Sequence, residues 1–71
     1  MTQEQYNNSR AALVARLSNA LQHRCYLVAR ARIRDLARLR TDYDNTPYDT
    51  AYRTLYEYYM PKHAVKIMYA R

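Results

Sequence analysis

Residues 9–41, SRAALVARLSNALQHRCYLVARARIRDLARLRT, run for 33 positions without glycine or proline and hold eight of the ten arginines. Apolar side chains recur along it at Val14, Leu17, Leu21, Cys25, Val28, Leu36 and Leu39, with Arg32 standing in the series between Val28 and Leu36. The steps of three and four are the helical period, and they follow an 11-residue repeat more closely than a 7-residue one. That pattern predicts a nearly straight, continuous helix. Arg32 and Asp35 fall within the stripe three residues apart, where they can pair with each other or across to another helix.

Thr2 and Gln5 have capping-box spacing. Asn7, Asn8 and Ser9 are poor helix formers, and Ser9 is itself an N-cap residue type. The reading therefore starts the helix at Ser9 and leaves residues 1–8 as a frayed arm. The helix is expected to end in TDYDNT, residues 41–46, whose side chains compete for backbone hydrogen bonds.

A second helix is then predicted, with Thr46 as N-cap, Pro47 at the first helical position and Asp49 facing the positive end of the dipole. Tyr48, Tyr52, Leu55, Tyr56 and Tyr59 share one side of it, while Asp49, Arg53 and Glu57 form an exposed ladder on another. Pro61 ends it, and PKHAVKIMYAR suggests a short third helix. The predicted fold is all-α, a single domain over residues 1–71 in which a long basic helix meets an antiparallel tyrosine-rich helix and a short C-terminal one.

Lengths then conflict. A straight helix over residues 9–41 is about 50 Å long, whereas residues 47–60 make only about 21 Å. Either the first helix breaks near His23 and folds into a bundle, or its uncovered stripe packs on a second copy. QHRCY contains no strong breaker, so the sequence favours a homodimer. A chain of 71 residues also has a thin core, burying about 60% of its unfolded surface, and a second subunit is one common remedy.

Composition narrows the function classes. One cysteine excludes an internal disulfide, and one Cys with two His makes a poor metal site. No metal or cofactor is expected. The N-terminal MTQEQYNNSR is polar where a signal peptide is apolar, and no apolar run approaches the length of a membrane span, so a cytoplasmic protein acting away from membranes is expected. His23 and Cys25 point in different directions on a helix, no Gly-rich loop is present to cradle phosphate, and so small a chain barely encloses a pocket. Catalysis is not expected.

The net charge of +6 is unevenly spread: residues 10–40 carry eight Arg against Asp35 alone, whereas residues 41–60 are acidic. On a continuous helix Arg16, His23, Arg30, Arg34 and Arg38 fall on one side as a basic ridge. Such ridges are often solvated faces, here with Asp42, Asp44, Asp49 and Glu57 as internal partners. Leu17, Leu21, Val28 and Leu36, together with Tyr48, Tyr52, Tyr56 and Tyr59, form the expected packing or interface surface.

Nine tyrosines with no Phe or Trp suit a shallow core or half-wet interface, because each buried hydroxyl needs a partner. Tyr and Arg are also enriched where proteins meet. The expectation is a non-enzymatic regulatory or inhibitory protein that docks on an acidic surface of a protein partner. The alternative is a nucleic-acid binder without sequence preference, gripping phosphate through the arginine ridge. Helix-turn-helix and zinc-finger patterns are absent from the sequence.

Overall fold

In the computed structural model, residues 1–62 are described. They form three helices, α1 (Gln3–Gln22), α2 (Tyr26–Asp44) and α3 (Tyr48–Tyr59), with no strand among them. The all-α fold is as expected. The suggested C-terminal helix lies, beyond its first two positions, outside the described residues.

The first helix starts at Gln3 and not at Ser9. Thr2 Oγ1 accepts from the Gln5 amide at 3.1 Å and Gln5 Oε1 accepts from the Thr2 amide at 3.0 Å. This reciprocal pair satisfies two amides that would otherwise be orphaned at the helix start. It outweighs the weak propensity of the Asn7–Asn8–Ser9 turn, which continues as helix.

The expectation of one continuous helix is overturned. The chain reverses at residues 23–25, where Arg24 takes a left-handed conformation, φ 57°. Its amide donates to the Leu21 carbonyl at 3.1 Å and the Cys25 amide to the Ala20 carbonyl at 2.8 Å. These are the two bonds of a Schellman stop, the usual way a helix satisfies its last carbonyls. Glycine normally marks that position, because a Cβ is penalised there. Arg24 carries no such mark, so the break near His23, which the length mismatch allows as one of its two solutions, has no local signal in the sequence.

Folding back outweighs that local cost. α1 and α2 lie antiparallel, with the ring of Tyr6 stacked on Tyr43 at 4.1 Å at the far end of the hairpin. Leu17 and Ala20 of α1 close on Ala29, Ile33 and Leu36 of α2, and Tyr56 and Met60 complete the cluster. Leu17, Ile33 and Tyr56 are fully buried, and each large apolar side chain removed from water stabilises by about 1.5 to 3 kcal/mol. Ala29, Ala37 and Ala51 are buried as well, and their small size lets the helices approach closely.

The break also shifts the phase of the apolar stripe. On α2 the buried positions are Ala29, Ile33, Leu36 and Ala37, so only Leu36 of the predicted series on this helix is in the core. Cys25 and Val28 are exposed, and Leu39 is half-buried. With both long helices paired, the length mismatch that favoured a second copy disappears.

α3 joins through Asn45, Thr46 and Pro47. Asn45 ends α2 in the left-handed region, φ 62°, with its amide on the Thr41 carbonyl at 3.0 Å, a conformation Asn tolerates well. Thr46 does not cap α3. Its hydroxyl turns back to Asp44 Oδ1, which also accepts from the Thr46 amide at 3.0 Å, and α3 has no side-chain cap bond. These two bonds from Thr46, the hydroxyl first and then the amide, hold the Asp44 carboxyl below its ordinary range, and Arg40 adds to the effect.

Two outcomes follow. Arg24→Gly should raise stability by about 0.5 to 1 kcal/mol after allowance for glycine's greater unfolded freedom, read as a higher urea midpoint with an unchanged slope. The Asp44 turn, whose folded pKa is lowered, should be fully formed above the unfolded carboxylate value of about 3.9 and lost as pH falls through the lower folded value. The amide shift of Thr46 should therefore titrate with a midpoint below that of a free aspartate.

Candidate functional site

The reversal at Arg24 separates the residues of the expected basic ridge. Arg16 and His23 lie on one side of the hairpin, where they line an open groove of about 320 Å³ with Asn19, Ala20, Cys25, Val28 and Arg32. Arg30, Arg34 and Arg38 follow one another at every fourth position of α2, about 6 Å apart along the axis. Arg30 stands on the side of α2 toward α3, where its Nε donates to Tyr52 Oη at 3.0 Å, while Arg34 and Arg38 continue the row on the exposed face of α2. A single ridge of five residues does not form.

That row is not neutralised by the chain's own carboxylates. Among the described residues the ion pairs are Arg32 with Asp35 at 3.5 Å and Arg40 with Asp44 at 3.6 Å. Neither involves Arg30, Arg34 or Arg38. Arg34 and Arg38 are exposed, as are Asp42, Asp49 and Glu57. The pair expected between Arg32 and Asp35 does form within the chain.

The tyrosine stripe splits by depth. Tyr56 is buried in the core, while Tyr48, Tyr52 and Tyr59 are half-buried. Rings 48, 52 and 56 stack in sequence with centroids 6.0 and 5.7 Å apart, a spacing at which aromatic pairs add to simple burial. Tyr52 is the hinge between this stack and the arginine row. Its hydroxyl raises the Arg30 pKa further, first through the hydrogen bond and then through charge. Since Arg is charged at any physiological pH, the consequence is orientation: Arg30 is held against α3 while Arg34 and Arg38 extend freely.

Of the expected interface residues on the first two helices, Leu17 and Leu36 are buried and Leu21 is half-buried against the core. Val28 is half-exposed, at 51%. Two exposed apolar residues were not anticipated. Tyr58 is 79% exposed on the outer side of α3, and Leu27 is 78% exposed on α2. Leu27 stands seven residues before Arg34, two turns along the same face, so it heads the arginine row. The sequence signal was present, since Leu27 lies off the apolar stripe, but a leucine out of phase attracts no attention until the core is known.

Cys25 is exposed, and its Sγ–H points to the His23 carbonyl at 3.7 Å. Among the described residues no group of three or more His, Cys, Asp or Glu is placed to hold a metal ion, and no helix is long and apolar enough to cross a membrane.

Removing the Tyr52 hydroxyl tests the contact that anchors the row. Tyr52→Phe should cost about 0.5 to 1.5 kcal/mol of stability in urea unfolding. The Arg30 Nε proton should then exchange with solvent faster in NMR spectra. No family model matches the chain, and neither a curated protein nor a solved structure is found similar to it, so its function must be read from these surfaces.

Proposed function

We propose that the chain is a non-enzymatic binding protein that docks on an acidic surface of a protein partner through the outer face of α2. The observation that carries this reading is Leu27. It is 78% exposed and stands in line with Arg34 and Arg38, which no carboxylate of the described residues pairs. An apolar anchor followed by free guanidinium groups suits a protein surface with a small hydrophobic recess bordered by Asp or Glu. Tyr52 supports the row by fixing Arg30 at its edge.

Nucleic acid is the second reading, favoured by the regular spacing of Arg30, Arg34 and Arg38. Phosphates would accept the guanidinium groups, but they offer nothing to an exposed leucine. A protein acting by occupying a partner's surface also fits a chain whose described helices enclose one small core cluster.

The two readings separate in a pull-down from native lysate with and without nuclease. A partner held by the α2 face should survive nuclease, and Leu27→Asp should weaken its capture about tenfold or more. Arg34→Glu with Arg38→Glu should have a similar effect. If capture disappears with nuclease, or if affinity falls as a steep power of salt while Leu27→Asp leaves it unchanged, phosphate binding replaces this reading.

A further inference from the structure

The hairpin of α1 and α2 has two sides, and α3 covers only one. On the other lies the groove lined by Arg16, Asn19, Ala20, His23, Val28 and Arg32. We infer that this groove seats an acidic amphipathic helix of a protein partner. None of the α2 docking row takes part, so the inference stands apart from the reading above.

Shape supplies the first argument. A trough between two antiparallel helices is the geometry into which a third helix packs, and grooves of this kind receive amphipathic helices in many complexes. α3 packs chiefly on α2, and its Tyr56 joins the cluster of Leu17, Ala20, Ala29 and Ile33.

Chemistry selects the occupant. The floor is apolar, formed by Ala20 and by Val28, which is 51% exposed. Arg16 on α1 and Arg32 on α2 stand on opposite walls, and His23 lies toward the reversal. Among the described residues Arg32 pairs only with Asp35, through one terminal nitrogen at a long 3.5 Å. A guanidinium has five N–H donors, so both walls retain capacity for carboxylates. A helix with an apolar stripe flanked by Asp or Glu meets the floor and both walls together.

A second copy pairing groove to groove is a poorer occupant, since it would set Arg16 and Arg32 against the same cations with only Asp35 to offset them. Nucleic acid would leave Val28 and Ala20 without a counterpart.

The test uses the full chain, labelled with ¹⁵N, and two synthetic peptides of about four helical turns. Both carry the same leucine stripe, one flanked by Glu and the other by Lys. The Glu peptide should shift the amides of Asn19, His23, Val28 and Arg32. Its affinity should fall about tenfold in Arg16→Glu and at least as far in Val28→Asp. Both positions are exposed, so the helical circular dichroism should be retained. The Lys peptide should bind Arg16→Glu better than the unaltered chain, and Arg34→Glu with Arg38→Glu should leave Glu-peptide binding unchanged.

Equal affinity for both peptides, no binding, or shifts confined to the row from Leu27 to Arg38 would each overturn the proposal. So would groove amides that shift with protein concentration alone, which would assign the face to self-association. Loss of partner capture by Leu27→Asp, measured separately, bears on the α2 face and not on this one.

Discussion

Two backbone hydrogen bonds, Arg24 to Leu21 and Cys25 to Ala20, turn the longest uninterrupted stretch of the chain back on itself, and the core forms because of that reversal. Leu17 and Ala20 reach Ala29 and Ile33 only when α1 and α2 run side by side. The motif needs a residue with positive φ, and the chain supplies Arg24 at a local cost of about 1 to 2 kcal/mol. Burial of a single large apolar side chain is of the same size, and the cluster contains several. Tertiary packing thus decides a backbone conformation that local propensity opposes.

The same reversal distributes the positive charge. On one continuous helix the arginines would form a single ridge, and phosphate would be the natural counterpart. On a hairpin they divide into a row on α2, tied to α3 through Arg30 alone, and a pair of walls around an apolar floor. Each group then acquires an apolar neighbour, Leu27 for the row and Val28 for the groove. A set of residues that looks uniform in the sequence therefore becomes two separate surfaces.

Tyrosine takes the place of Phe and Trp throughout. Tyr56 fills the core, Tyr52 links the aromatic stack to Arg30, and Tyr6 with Tyr43 closes the hairpin's far end. A ring with a polar tip suits a molecule this thin, because few positions lie far from solvent. Where a deep core would need a partner for every hydroxyl, a shallow one lets Tyr48, Tyr52 and Tyr59 remain half in water.

Read alone, the sequence determined the helical class, the Thr2–Gln5 capping box as a possible start, the end of α2 within residues 41–46, the entry to α3 near Pro47 and the shared face of Tyr48, Tyr52 and Tyr56. Each rests on interactions between residues close in the chain, which periodicity and capping chemistry report directly. Only the tertiary structure decided that the helix breaks at Arg24, that the core on α2 runs through Ala29, Ile33, Leu36 and Ala37, and that the arginines divide. The reason is physical: an arginine in the left-handed region is disfavoured locally and is held there by contacts between residues far apart in sequence. A three-and-four spacing fixes the period of a stripe, but its phase beyond a break depends on what the folded chain places opposite.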